Sequence, residues 1–312
     1  MTEKVPVVLL TGFLGAGKTT FLNWLLEKHP NLKVSVVLNE FGDVKLESQF
    51  VKQKNEGVIE LANGCMCCVA KSDIPRVINY ILDTAPQTQY ILVEASGLSD
   101  PEPIRDALQD PKVSERVRLD AILCIVDALN FEALRQEHGL VTSQIADSDL
   151  VILSKVELST QEKVDQNRKV LERLTPDVRV IEFRHDLDPQ LFLDPEVRLH
   201  QAKSTTTSDA EHQHSHEQFQ TYLFEGSDAL DLEKLQGVIK TLPRGILRAK
   251  GVLRITTSDQ KDLKVLLQYV GTRLEFEETQ WGLLEPKKNT LLFIGTQFNA
   301  IDLEQLLIKC KH

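Results

Sequence analysis

Two runs of residues in this chain have the types and spacing to do chemistry. The first is Gly12-Phe13-Leu14-Gly15-Ala16-Gly17-Lys18-Thr19-Thr20, a G-x-x-x-x-G-K-T pattern. Its glycines let the backbone turn N–H groups inward around phosphate oxygens. The helix expected after it adds the positive end of its dipole. Lys18 brings a point charge to β- and γ-phosphates, and the Thr19 hydroxyl is a ligand for Mg2+. The second run is Cys65-x-Cys67-Cys68. Thiolates are soft ligands that suit Zn2+, with Cu(I) as a competitor. Three in one turn can reach a single ion, or two can bind while outside ligands complete a tetrahedron. A redox pair or three inert cysteines would share this spacing, but Gly64 and the polar flanks argue against burial.

Weaker signals surround these two. Glu94 ends an apolar run, Gln89 to Glu94, with Gly97 three residues on. Beside a phosphate loop, such a carboxylate holds Mg2+ directly or through water, and a following glycine N–H senses the γ-phosphate. Glu40 and Asp43 fall in an N-E-F-G-D segment and add oxygen donors, Glu40 towards magnesium and Asp43 as an accessory metal ligand. Ser154-Lys155-Val156-Glu157 follows another apolar run. A carboxylate there accepts from guanine N1–H and N2–H2 and repels the N1 acceptor of adenine, although an ordinary strand-to-helix turn reads the same way. His212, His214 and His216 alternate in a polar tract, where imidazoles can share one ion or stand solvated. Cys124, His29, Cys310 and His312 are assigned no role.

The elements that must position these residues follow from periodicity. Short β-branched runs at 5–10, 33–38, 89–94, 119–127, 150–153 and 178–181 read as buried strands, 57–61 reads as a further short strand leading into the cysteines, and amphipathic segments between them read as helices. One helix starts near Ser72 or Asp73 and carries Ile74, Val77, Ile78, Ile81 and Leu82 inward. Another starts at a capping box, Ser159 with Glu162. Apolar strands alternating with helices predict an α/β fold, a mainly parallel sheet covered on both faces, with ligands at the carboxyl ends of the strands. Composition shifts near Ala202. The expected organisation is a phosphate-loop domain over 1–200, a His/Ser/Thr-rich linker over 201–217, and a smaller α+β domain over 218–312. In that last domain Asn299 caps a helix whose apolar face is Ile301, Leu303, Leu306 and Leu307.

Composition excludes several classes. At 312 residues the chain can bury a sizeable core. A net charge of −10 without a clustered basic face argues against nucleic acid. Five cysteines, three of them within four positions, suit metal or redox chemistry in a reducing compartment better than a disulfide framework. Charged residues interrupt every apolar run short of membrane-spanning length, and the first strand begins too early to leave room for a signal peptide. A cytoplasmic protein with no membrane partner is expected.

The order G-F-L-G-A-G-K-T-T, N-E-F-G, G-C-M-C-C, E-A-S-G-L-S-D-P and S-K-V-E resembles the CobW-type (CobW/HypB/UreG-like) metallochaperone GTPases. Leu247 to Gly251 and Phe293 to Gly295 extend the similarity past the linker. The resemblance implies GTP hydrolysis with Mg2+, coupled to delivery of a transition metal, most often zinc, with Co2+ or Ni2+ as other cargoes, to a client metalloprotein. Gly12 to Thr20 match the nucleotide loop, Glu94 and Gly97 the magnesium and γ-phosphate motif, and Cys65, Cys67 and Cys68 the metal motif. Ser154 and Glu157 replace the family's usual Asn or Thr and Asp, so guanine preference rests on a longer carboxylate. A P-loop small-molecule kinase, a non-enzymatic zinc buffer and a cobalt chaperone for cobalamin assembly are the competing functions.

Overall fold

The computed structural model describes residues 4–38, 74–193, 219–257, 262–271, 273–282, 285–296 and 298–311. The chain divides into two compact units, Met1–Leu193 and Asp194–His312.

Among the described residues of the first unit six strands form one sheet: β1 (Val5–Thr11), β2 (Val34–Leu38), β3 (Tyr90–Glu94), β4 (Val117–Asp127), β5 (Leu150–Ser154) and β6 (Arg179–Glu182). They run in the order β2-β3-β1-β4-β5-β6, and every pairing is parallel. Every residue of β3 and β5 is buried, which is what helices on both faces require and why these strands read as continuous apolar runs. Among the described residues seven helices accompany the sheet: α1 (Lys18–Lys28), α2 (Ile74–Thr84), α3 (Glu102–Leu108), α4 (Pro111–Ser114), α5 (Phe131–Glu137), α6 (Gly139–Ala146) and α7 (Gln161–Leu174). The α2 stripe is the predicted one: Ile74, Val77, Ile78, Ile81 and Leu82 are all buried against β1, β3 and β4 residues. With β3 on one side of β1 and β4 on the other, the carboxyl edge places Thr11, Glu94, Asp127 and Ser154 along one rim. The register sets Leu10 beside Glu94, Thr11 beside Cys124, and Asp127 beside Ser154.

The structure corrects the start of α7. Its cap is Thr160, whose hydroxyl accepts from the Lys163 N–H at 3.4 Å, one residue beyond the expected Ser159. Ser159 instead closes the preceding turn through its own N–H to Val156 O at 3.1 Å. It therefore sits one position too early to meet the first free amides.

The second unit is an antiparallel sheet, β11-β10-β9-β12-β7, built from β7 (Phe219–Gly226), β9 (Ile246–Thr256), β10 (Asp262–Val270), β11 (Arg273–Thr279) and β12 (Asn289–Thr296). A short β8 (Leu230–Asp231) adds to β9 in parallel. Helices α8 (Leu232–Lys240) and α9 (Ala300–Ile308) share one core with Ala249, Leu253, Ile255, Val265, Leu267 and other strand residues. Asn299 caps α9 as predicted, accepting from Ile301 N–H at 2.9 Å. Ile301 itself is a correction: it is 64% exposed, whereas Leu303 and Leu307 are buried. Two positions along a helix are about 200° apart, so Ile301 cannot share a face with Leu303.

Candidate nucleotide site

The phosphate loop is built where β1 stops and α1 begins. Gly12, Gly15 and Gly17 all have positive φ, at 132°, 71° and 97°. At Gly12 space also decides: a Cβ there would stand 2.2 Å from Ile125 O on β4, so only glycine lets the loop cross the sheet edge. Ala16 N–H closes a turn onto Phe13 O at 3.2 Å, and Ala16 is buried. Helix α1 opens from Gly17 with no acidic residue in its own first turn, so the positive end of its dipole faces the loop. Lys18 is buried, and its ammonium donates to Gly12 O at 3.0 Å and Phe13 O at 3.4 Å. A cation held on the loop's own carbonyls stands where an arriving phosphate can take it over. Thr20, the next residue but one, is exposed.

Thr19 and Glu94 come together from separate elements. The Thr19 hydroxyl on α1 donates to Glu94 Oε1 at 3.0 Å, and Glu94, the last residue of β3, is 3% exposed. A hydroxyl and a carboxylate side by side at the helix N-terminus form a hard-oxygen pair of the sort that suits Mg2+ beside a phosphate. Gly97 packs onto the phosphate loop itself, since a Cβ there would lie 2.7 Å from Leu14 N and 2.9 Å from Leu14 Cα.

The turn after β5 reaches the loop from the other side. Ser154 Oγ lies 2.6 Å from Ala16 O and 3.1 Å from Val126 O. Lys155 has φ 57°, the single positive φ among the described non-glycine residues, and its ammonium donates to Gly15 O at 2.7 Å. Glu157 falls in a short helical turn, Val156–Leu158, with its side chain exposed.

A family model for the nucleotide-binding domain of CobW/HypB/UreG matches residues 6–182, more than half of the chain. The chain belongs to the CobW/HypB/UreG family. A second model, the cobalamin synthesis protein cobW C-terminal domain, matches residues 219–311. Among curated relatives, the zinc chaperone CobW of Pseudomonas aeruginosa is 30% identical over 343 residues, covering 95% of this chain and 88% of its own. The zinc chaperone YjiA of Escherichia coli is 27% identical over 308 residues, covering 95% of each chain. The crystal structure of the Zn(II)-bound YjiA GTPase from E. coli aligns over the full length of both chains with 24% identity and a TM-score of 0.48.

In this CobW-family chain one carboxylate tied to the phosphate loop escaped sequence reasoning. Asp127, at the end of β4, accepts from Lys155 Nζ at 2.8 Å, Asn130 Nδ2 at 2.9 Å and Leu129 N–H at 2.8 Å. Burial opposes its ionisation, but these hydrogen bonds outweigh burial and hold the carboxyl below its ordinary range. Asp127 thereby anchors the lysine that touches the phosphate loop. The available signal was an apolar strand ending in Asp beside the loop strand, the pattern already noticed at Glu94. Cys124, on the same strand, is the opposite case: burial pushes its thiol up to about 12, so it is neither a thiolate ligand nor a nucleophile near neutral pH.

Several predicted positions lie outside the described residues: Glu40, Asp43, the strand at 57–61, Cys65, Cys67, Cys68, the helix start at Ser72 or Asp73, His212, His214 and His216. Among the described residues no group of three or more His, Cys, Asp or Glu side chains is arranged to hold a metal ion, and no helix is long and apolar enough to cross a membrane.

Proposed function

We propose that this chain is a GTP-hydrolysing metallochaperone that carries a transition metal, zinc in the first instance, on Cys65, Cys67 and Cys68 and passes it to a client metalloprotein. The observation that carries the nucleotide half is the Thr19–Glu94 hydrogen bond, which joins the phosphate-loop helix to the adjacent strand end. The metal half rests on the C-x-C-C spacing and on relatives described as zinc chaperones.

Each residue then has a defined task. The loop amides from Gly12 to Thr19 and the Lys18 ammonium receive the phosphate oxygens. Lys18 exchanges the carbonyls of Gly12 and Phe13 for phosphate, a gain because a charge-assisted bond to an anion is stronger than one to a neutral carbonyl. Thr19 and Glu94 would hold Mg2+, which supplies neutralisation of charge on the β- and γ-phosphates when bound. Gly97 offers its backbone close to the loop. Lys155 braces Gly15 from the base side, and Glu157 supplies a carboxylate that selects guanine over adenine. The cysteines fall in sequence between Glu40 and Glu94, two residues assigned to the nucleotide's magnesium, so nucleotide state and metal affinity are coupled. Thiolate ligation requires deprotonation, so metal affinity falls in acid.

The test is a hydrolysis and titration series on the full chain. GTP should be turned over in preference to ATP, and Lys18→Ala should lower that rate about a thousandfold. Zinc affinity should differ with and without a non-hydrolysable GTP analogue. The triple change of Cys65, Cys67 and Cys68 to Ser should abolish tight zinc binding while leaving nucleotide binding in place. Unchanged zinc affinity in the triple variant defeats the chaperone reading, and phosphate transfer to a small acceptor would indicate a kinase.

A further inference from the structure

Helix α6 carries a set of polar ties that the nucleotide reading does not use. Gln144 is 1% exposed, and its amide nitrogen donates to Ser99 O at 2.9 Å and to Gly97 O at 3.3 Å. Both acceptors belong to the loop that follows Glu94. That loop is already folded on itself, with Ser99 N–H to Ser96 O at 3.0 Å and Ser99 Oγ to Ser96 O at 2.8 Å. One residue before Gln144, Ser143 Oγ donates to Asp100 Oδ2 at 2.9 Å. At the C-cap of the helix, Asp147 pairs with Arg105 of α3 at 3.1 Å. Two positions of one short helix and its cap therefore hold three successive parts of the segment from Gly97 to Arg105.

The same helix reaches the phosphate loop by a second route. His138, which links α5 to α6, stacks on Phe13 with ring centroids 4.8 Å apart and planes 23° from parallel. Gln144 also shares the wall of a small cavity with Phe13, Ala16 and Cys124. Gly97 in turn abuts the backbone of Leu14. The loop after β3, the phosphate loop and the α5–α6 corner thus form a closed triangle of contacts. Fixing the carbonyls of Gly97 and Ser99 fixes the peptide planes that follow these two residues, Gly97–Leu98 and Ser99–Asp100. Those planes set where the Gly97 backbone stands against Leu14.

We propose that Gln144 is a positioning residue for nucleotide hydrolysis, holding the Ser96–Ser99 turn so that Gly97 and Glu94 meet the terminal phosphate in register with the phosphate loop. This rests on the hydrolysis reading above, and it assigns a role to a residue that touches neither nucleotide nor metal. A buried primary amide suits the task because it presents two N–H donors to two carbonyls of one turn. An isosteric side chain without donors would keep the packing and leave both carbonyls unpaired, a cost that drives the turn to rearrange. A displacement of the order of an ångström at such a site is enough to lower turnover greatly while binding persists.

The experiment compares the unsubstituted chain with Gln144→Met, Ser143→Ala and Ile145→Val, measuring GTP turnover, affinity for a fluorescent GDP analogue and thermal midpoint. Gln144→Met should lower kcat about tenfold or more. GDP affinity should stay within about twofold, because GDP lacks the phosphate that the turn serves. Ser143→Ala should lower kcat less, and Ile145→Val, which trims the core side of the same helix, should leave it unchanged. Amide hydrogen exchange at residues 97–100 should rise in Gln144→Met before any change in the strands. Wild-type kcat in Gln144→Met overturns the proposal. So does a parallel fall of kcat, GDP affinity and thermal midpoint, which would mark a purely structural strut. No GTP turnover in the unsubstituted chain is a different result: it defeats the hydrolysis reading, and this proposal falls with it.

Discussion

The two sheets of this chain handle their polar residues in opposite ways. In the parallel sheet three strands end at the carboxyl edge on a polar residue, Glu94, Asp127 and Ser154, and all three are buried. In the antiparallel sheet the ion pairs lie on partly exposed side chains: Arg254 on β9 with Asp262 on β10, and Lys264 on β10 with Glu285 in the loop before β12. The difference follows from geometry. A parallel sheet covered on both faces leaves its strand ends as the place where backbone N–H groups and polar side chains can converge on a ligand. An antiparallel sheet with helices on one face offers its other face to polar residues all along each strand. Chemistry is therefore expected from the first unit, and stability without turnover from the second.

A matched pair of glycine substitutions puts that contrast under the greatest load. Gly97→Ala and Gly251→Ala each drive a Cβ into backbone, 2.7 Å from Leu14 N in the first case and 1.9 Å from Thr290 O in the second. Gly251 lies mid-strand in β9 opposite Leu291, with hydrogen-bonded strands on both sides, so the clash can be relieved only by parting the sheet. It should cost about 2–3 kcal/mol, with a matching loss in thermal midpoint. GTP turnover by the molecules that stay folded should be unaffected. Gly97 lies in a loop that can yield, so Gly97→Ala should cost less stability but lower kcat by about tenfold to a hundredfold. Denaturant unfolding and a turnover assay on the same samples read both effects. If Gly251→Ala lowers kcat per folded molecule as much as Gly97→Ala, the division of labour between the sheets is wrong.

Asp127→Asn comes next in size. It keeps the shape of the side chain but replaces one acceptor oxygen by a donor and removes the charge that pairs with Lys155. A loss of about 2 kcal/mol is expected, with weaker nucleotide binding as Lys155 loses its hold beside Gly15. The pH dependence has a definite sign. The folded carboxyl titrates below its ordinary value of about 3.9, so the stabilisation is fully present above that value. It is lost as pH falls through the depressed folded value. The unsubstituted chain and the Asp127→Asn variant should therefore converge in stability in strong acid and differ most near neutrality, which urea titrations at several pH values would show.

How far the sequence led depends on where each interaction partner lies. Strands β1, β3 and β5 were legible because burial on both sides makes them unbroken apolar runs, and the phosphate loop was legible because its glycines and Lys18 are fixed by local geometry. Helices α5 and α6 were not assigned. They span seven and eight residues and meet at His138, so neither shows a full amphipathic period, and Gly139 starts a helix where glycine more often ends one. Asp127 and Gln144 were missed for a different reason. Each reads locally as an ordinary polar residue, and each acquires its role from partners 28 and 45 to 47 positions away. Ser159 and Thr160 stand side by side and both can cap, so only the turn before α7 decides between them.

The smallest expected effect sharpens the contrast from the side of the second sheet. Arg254 on β9 meets Asp262 on β10 with two parallel bonds, Nε to Oδ1 at 3.0 Å and Nη2 to Oδ2 at 3.1 Å. Lys287 adds a third bond to the same carboxylate at 2.9 Å. The bonds from Arg254 are the main reason that Asp262 is held below its ordinary carboxylate range. The arrangement resembles that at Asp127, yet the Arg254 and Asp262 side chains are 32% and 28% exposed, against 5% at Asp127. Water and salt therefore screen the pair, and Arg254→Ala should cost under about 1 kcal/mol, less still at high ionic strength. Turnover should not change. Stability measured at low and high salt separates the two carboxylates: the cost of Arg254→Ala should shrink with salt, while that of Asp127→Asn should persist. Equal salt sensitivity at both sites would mean that burial at the strand ends is not what gives the first sheet its concentrated chemistry.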